Sequence, residues 1–276
     1  MTEFLEVAGG RIAYDVTGDG PLIVLSPGLG DRRETYRFLA PRLVRAGYRV
    51  AVADLRGHGE SSTGWPSYTR TDTAGDLLAL IRRLGGPAVL VGASFSGGAA
   101  VIAAAREPEL VRALVLIGPA TRTPRIRPGA LTARFVAGTA LIGLALLLRS
   151  PVLWGGYLRY AYPAVRPADF AAYLRALQAD LREPGRMAAA VAMGLSSPAD
   201  AEARLPEIRC PALVVMGSRD PDFPDPAAEA GAVAAAMPAG IGTVTMIEGG
   251  GHYPHAQFPD QVATAVLAFL GGRVDA

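Results

Sequence analysis

Lysine and asparagine are both missing from this 276-residue chain, so all 27 of its basic residues are arginine. Without lysine there is no Schiff-base nitrogen, no pyridoxal-phosphate anchor, and no lysine for a phosphate-binding loop or a kinase strand. Without asparagine there is no N-glycosylation acceptor and no Cys-His-Asn protease set. A single cysteine, Cys210, excludes an internal disulfide framework and a thiolate zinc site. The histidines are His58, His252 and His255, and only the last two are close in sequence, which argues against a histidine-built metal centre. Charge is sparse: 27 basic against 25 acidic residues leave +2, too weak a field to make nucleic acid the main partner. The longest apolar run, Phe135 to Leu148, has 14 residues and falls short of the roughly 20 that span a bilayer. Met1-Thr2-Glu3-Phe4-Leu5-Glu6 lacks the basic start and apolar core of a signal peptide. The expectation is a soluble, cytoplasmic protein without an integral membrane segment.

Half the residues are apolar, which excludes wholesale disorder, and a chain of this length buries roughly 75% of its unfolded surface. The first third alternates short aliphatic runs with helical periodicity. Phe4 to Val7 and Arg11 to Val16 predict a hairpin around Ala8-Gly9-Gly10. Strands are predicted at Pro21 to Leu25, Tyr48 to Ala53, Ala88 to Val91 and Leu110 to Ile117. Helices are predicted at Thr35 to Ala46, Thr71 to Leu84 and Ser96 to Arg106. The last third repeats the pattern: strand Ala212 to Met216, helix Ala227 to Met237, strand Thr243 to Ile247, helix Gln257 to Leu270. Strands apolar on both faces, separated by helices, mean an α/β fold whose parallel sheet is covered on each side. From Thr121 to Pro206 the strand signal disappears. That stretch is rich in Ala, Leu and Arg and, before the Pro206 that ends it, is cut by seven prolines, from Pro124 and Pro128 to Pro198. It reads as a helical cap, residues 121–206, inserted into a core of residues 1–120 and 207–276.

The sharpest chemical signal is Val91-Gly92-Ala93-Ser94-Phe95-Ser96-Gly97-Gly98. An aliphatic strand runs into a serine flanked by small residues, and a helix follows. A serine on such a turn is held in strained backbone with its hydroxyl raised above the sheet edge. The helix start then offers amides to a developing oxyanion. Ser96 stands where the second glycine of Gly-x-Ser-x-Gly is usual. A serine hydroxyl needs a base, and His252 follows the last strand in a glycine-rich loop. His255 is the alternative. An acid must hold the base: Asp220 follows the preceding strand, and Asp222 is its rival. Asp225, before Pro226, reads as a helix N-cap. Gly28-Leu29-Gly30 lacks the third glycine and the acidic partner of a dinucleotide fingerprint. Cys210 reads as a packed thiol.

The order serine, aspartate, histidine resembles that of the α/β-hydrolase superfamily, and the resemblance covers nearly the whole chain. Leu25-Ser26-Pro27-Gly28-Leu29-Gly30 is similar to the family's His-Gly-x-Gly oxyanion loop, with Ser26-Pro27 at its start. Asp54-Leu55-Arg56-Gly57-His58-Gly59-Glu60-Ser61 matches the loop after its fourth strand, in which His58 is a bracing residue. The resemblance implies a mostly parallel eight-stranded sheet with helices on both faces and a helical cap after the sixth strand. It also implies oxyanion donors at the amides of Leu29 and Phe95. Together with the residues above it implies a cofactor-free, metal-free serine hydrolase: Ser94 nucleophile, His252 base, Asp220 acid. The expected partner is a small-to-medium apolar acyl substrate, an ester, lactone or thioester. Dehalogenases and epoxide hydrolases of this fold need aspartate where Ser94 stands. Carbon–carbon bond hydrolysis, acyl transfer, peracid formation and ligand sensing use the same framework. Leu144, Trp154 and Tyr157 are candidate substrate-lining residues of the cap. The run Phe135 to Leu148 is read as a buried cap helix, with lining of an acyl pocket or contact with lipid as alternatives. Arg122, Arg125, Arg127 and Arg134 are read as a solvated hinge, or as a recognition site for a carboxylate or phosphate.

Overall fold

Aliphatic residues at alternate positions of the inner strands face opposite ways, and this two-residue period builds the molecule. In the computed structural model, which describes residues 1–123 and 131–273, eight strands form one sheet: β1 (Glu3–Val7), β2 (Gly10–Thr17), β3 (Leu22–Ser26), β4 (Arg49–Ala53), β5 (Ala88–Ala93), β6 (Val111–Ile117), β7 (Ala212–Gly217) and β8 (Gly242–Ile247). Their order is β1-β2-β4-β3-β5-β6-β7-β8. β2 runs antiparallel to β1 and β4, and all other pairs are parallel.

The helices are α1 (Leu39–Arg45), α2 (Arg70–Arg83), α3 (Phe95–Arg106), α4 (Ala133–Leu147), α5 (Pro151–Ala161), α6 (Phe170–Arg182), α7 (Arg186–Leu195), α8 (Ala199–Arg204), α9 (Pro226–Ala235), α10 (Pro254–Gln257) and α11 (Pro259–Arg273). Ile23, Leu25, Val89, Val91 and Val215 point to the face covered by α1 and α11. Their neighbours Val24, Leu90, Leu114, Val214 and Met216 point to the face covered by α2, α3, α8 and α9. Burying each such side chain contributes about 1.5–3 kcal/mol.

Two predicted helices are interrupted. Thr35 to Ala46 becomes a 3-10 turn (Arg33–Tyr36) followed by α1, whose first turn contains Pro41, where a missing N–H costs least. The last helix divides into α10 and α11 at Phe258, because Pro259 drives the preceding residue out of the helical region (φ −129°, ψ 56°).

Between β6 and β7 the described chain is helical. α5, α6 and α7 reach the loops that follow the C-terminal ends of β3, β4 and β7 through Trp154, Tyr157, Tyr173 and Arg186, and the Ala161 carbonyl of α5 reaches the loop after β8. α8 with Leu205 and Ile208 packs instead into the cluster on α3. α4 is capped by Thr132, which accepts from the Phe135 amide. Only Gly138 and Ala145 of α4 are buried, while Val136, Leu144 and Leu147 are exposed. The expectation of a buried helix therefore fails, because a helix apolar all round has no polar face to mark its solvent side. Pro124, Arg125, Arg127 and Pro128 lie outside the described residues.

The β3 and β4 loops are tied by a buried cation. Arg33 Nη1 meets Asp54 Oδ2 at 2.5 Å and Nε meets Asp15 at 2.8 Å, while Glu60 takes the remaining nitrogen. Asp54 is buried and, among the described residues, has no other ion-pair partner. Arg33→Met strands that carboxylate, and urea unfolding at neutral pH is expected to show a loss of about 3–5 kcal/mol. A loss under about 1 kcal/mol would show that the network is dispensable.

Candidate active site

Ser94 sits between β5 and α3 at φ +49°, ψ −115°, in the left-handed region that non-glycine residues avoid. The small neighbours make this turn possible. A Cβ on Gly92 would lie 2.4 Å from the Ser96 carbonyl oxygen, and one on Gly97 would lie 2.8 Å from Pro119. The turn is locked by the Ser94 amide donating to Ile117 (2.9 Å) and by its carbonyl accepting from Ala120 (3.0 Å).

Ser96 has a specific use here. Its hydroxyl lies 2.9 Å from that of Ser26 and also donates to the Pro27 carbonyl. Those bonds tie the start of α3 to the loop after β3, which a glycine could not do. The loop passes so close that a Cβ on Gly28 would be 3.1 Å from Ser94 Cβ. Farther along, the Gly30 amide donates to His58 Nε2 (2.9 Å) and the Gly30 carbonyl accepts from Trp154 Nε1 (2.8 Å). His58 Nδ1 donates in turn to the Arg56 carbonyl (2.8 Å). Burial holds the His58 imidazole down at about 4, so it stays neutral and can accept. Leu29 packs between the α5–α6 cluster and a small cluster of Leu55, Phe95 and Met193. The Phe95 amide is the first of α3, where helical N–H groups lack internal partners.

Asp220 follows β7 and His252 follows β8, adjacent strands whose C-terminal ends lie side by side. His252 Nδ1 meets Asp220 Oδ2 at 2.8 Å with both side chains buried. Gly118, at φ +50°, leaves the room for this pair, since a Cβ there would stand 3.1 Å from Asp220 and 3.3 Å from His252. The His252 amide donates to Ala161 at the end of α5 (3.1 Å). The other ring nitrogen, Nε2, faces Asp222 Oδ2 at 3.4 Å. Asp222 accepts from the Tyr157 hydroxyl at 2.8 and 3.0 Å. Burial opposes charge on His252, but the Asp220 and then the Asp222 carboxylates outweigh it and lift the imidazole to about 9. Burial raises the Asp222 carboxyl in spite of the nearby imidazole.

Ser94, His252 and Asp222 line a cavity of about 490 Å³, together with Arg70, Arg122, Thr139, Ile142, Leu146 and Phe223 among others. The expected lining residues are placed differently. Leu144 is 47% exposed on the outer side of α4. Trp154 and Tyr157 are buried and spend their N–H and O–H on Gly30 and Asp222. A buried indole or phenol needs such a partner, and the core loops supply it. Arg122 pairs with Glu229 (2.9 Å), and Arg134 donates to the Arg219 and Tyr160 carbonyls. His255 is turned to Thr35 (3.0 Å), and burial pushes it down to about 3. Asp225 caps α9 by accepting from the Ala228 amide. Asp220, Asp222 and His252 present donor atoms within 4.8 Å of one another, a spacing that a metal ion could bridge. Nδ1 is committed to Asp220, which leaves Nε2 and the carboxylates as ligands. Among the described residues no helix is long and apolar enough to cross a membrane.

A family model described as the alpha/beta hydrolase family matches residues 23–265. The chain belongs to this family. A pimeloyl-acyl-carrier-protein methyl ester esterase from Xanthomonas campestris pv. campestris is 32% identical over 260 residues, which are 93% of this chain and 97% of that one. An esterase from Exiguobacterium antarcticum superposes with a TM-score of 0.82 at 22% identity, covering 98% of this chain and all of its own. The enol-lactonase from Burkholderia xenovorans LB400 gives 0.76 at 23%, with the same coverage. Membership of the alpha/beta hydrolase family, with an esterase among the relatives, supports hydrolase activity.

Three histidines in three environments make a direct test. Proton-detected titration of the imidazoles is expected to find His252 changing near pH 9, His58 near pH 4 and His255 lower still, so that only His252 is charged at pH 7. A His252 that titrates below pH 7 would mean that the two carboxylates do not act on it together.

Proposed function

We propose that the protein is a serine hydrolase of carboxylic esters. Ser94 attacks the acyl carbonyl, and His252 takes the serine proton and returns it to the leaving group. Asp220 holds the tautomer and stabilises the imidazolium. The amides of Leu29 and Phe95 receive the oxyanion, each worth about 3 kcal/mol in the transition state. Water then attacks the acyl-enzyme, with His252 again as base, and the acid leaves. One observation carries the reading: Ser94 and His252 line one cavity, while Asp220 grips the far imidazole nitrogen at 2.8 Å.

Residues 121–206 serve as a cap in this proposal, with Thr139, Ile142 and Leu146 of α4 roofing the cavity. Their aliphatic character favours a small-to-medium, mostly apolar ester, lactone or thioester. The esterase relative favours an ester among these.

Asp222 shapes the pH response. It stabilises His252 in the charged form, which cannot accept the serine proton. With the imidazole lifted to about 9, the neutral form that can take the proton is the minor one at pH 7. The kcat/KM for a short-chain aryl ester is therefore expected to climb with pH toward a limb near 9. Asp222→Asn removes one carboxylate and moves that limb down by about one unit. A limb unmoved in the variant would show that Asp222 does not govern the base.

Ser94→Ala is expected to abolish covalent labelling by a fluorophosphonate and to cut ester hydrolysis at least about 10³-fold; Asp220→Asn costs up to about 10⁴-fold in kcat. Ester hydrolysis by Ser94→Ala within a few-fold of wild type would defeat the mechanism.

A further inference from the structure

Arg70, the first residue of α2, lines the same cavity as Ser94 and His252 and is only 7% exposed. Its Nε donates to the Ala120 carbonyl (3.2 Å), and its Nη1 to the Ser196 carbonyl and hydroxyl (2.9 and 3.0 Å). Among the described residues no carboxylate lies within ion-pair distance of it, and Nη2 has no hydrogen-bond partner. Three other sheltered arginines close on carboxylates instead: Arg33 holds Asp54, Arg56 holds Asp76 and Arg122 holds Glu229. The acid nearest in sequence, Asp72, is engaged by Ser67, Thr69 and Arg56. Burial alone acts on the guanidinium, lowering it to about 10, so it is charged at neutral pH. A buried, uncompensated cation is costly in a folded protein.

The fold nevertheless makes room for this side chain. A Cβ on Gly98 would lie 2.6 Å from Arg70 Cδ and 2.9 Å from Nε. The guanidinium lies 4.5 Å from the ring centre of Phe95, the residue after Ser94. A capping box between Thr69 and Asp72 fixes the first turn of α2 from which it projects.

We propose that Arg70 is an anion subsite of this cavity, and that the substrate carries a carboxylate at the end of an apolar chain opposite the scissile acyl group. The proposal rests on the reading of the cavity as a serine hydrolase site and names its substrate class: half-esters of dicarboxylic acids and their close analogues. The apolar chain would lie along Ile142, Leu146 and Phe223. A monoanion suits the charge better than a phosphoryl dianion, since Arg122, the other arginine on the cavity, is already neutralised by Glu229.

The test compares monomethyl glutarate and monomethyl adipate with the corresponding dimethyl esters, with methyl 3-phosphonopropionate as the phosphoryl arm. Wild type is expected to favour the better half-ester over its diester at least about tenfold in kcat/KM, because a site built around a charged donor rejects analogues lacking its partner. In Arg70→Gln the ratio is expected to fall to about one or below, and Arg70→Lys is expected to restore part of it. A wild-type preference for the diesters, or a ratio in Arg70→Gln unchanged from that of the wild type, overturns the subsite. A preference for the phosphonate overturns the carboxylate assignment.

Calorimetric binding of monomethyl glutarate to Ser94→Ala, with Ser94→Ala/Arg70→Gln as comparator, reads the subsite without turnover. Binding that depends on Arg70 in a protein that hydrolyses none of these esters sinks the catalytic reading and keeps the subsite. Fluorophosphonate labelling of Ser94 in the wild type, together with monomethyl glutarate binding that does not change between Ser94→Ala and Ser94→Ala/Arg70→Gln, does the reverse.

Discussion

Ser94 can keep a left-handed backbone only because its surroundings are stripped of side chains, and much of the site answers to that constraint. Gly92 and Gly97 clear the space between β5 and α3, and Gly28 lets the neighbouring loop come within contact distance. Close approach by itself gives no alignment. The Ser96 hydroxyl provides it, by joining the turn to Ser26 and Pro27. The strained residue is thus held by hydrogen bonds from two sides rather than by its own preference, which is how sparsely populated backbone persists in folded proteins.

Charge is organised with similar economy. A chain whose cations are all arginine gains planar, forked donors, and most of those near the core close on carboxylates. Arg33, with three acidic partners, braces the loops behind Ser94. Asp222 adds a second carboxylate to a histidine that already has one, and the Tyr157 phenol holds it there. Its effect is to oppose the neutral imidazole. One ring thus has a carboxylate at each nitrogen, and both favour its charged form.

The alternating strands, the covered parallel sheet and the small-residue turn at Ser94 could all be read from the amino-acid order, because period and residue size determine them locally. That Ser94, Asp220 and His252 gather at one sheet edge follows from each coming directly after a strand. Other features depend on contacts far apart in the chain. The apolar sequence of α4 has no polar stripe, so nothing in it distinguishes the inward Ile142 from the outward Leu144. Trp154 and Tyr157 are marked as aromatic, but the needs of their polar tips turned them to Gly30 and Asp222 rather than to the cavity. Asp222 follows Asp220 by two positions, and only the path of the loop puts it at Nε2. A signal for Arg70 did exist: an arginine directly after the N-cap Thr69, where an acidic residue suits the helix dipole better.

Gly30 is gripped by an imidazole from the sheet side and an indole from α5, and α5 also ends on the carbonyl that receives the His252 amide. Loosening α5 would slacken both loops at once while the strands below stayed paired. Warming this protein should therefore silence it before it melts: whatever chemistry the cavity performs would fade at temperatures where circular dichroism still reports an intact sheet.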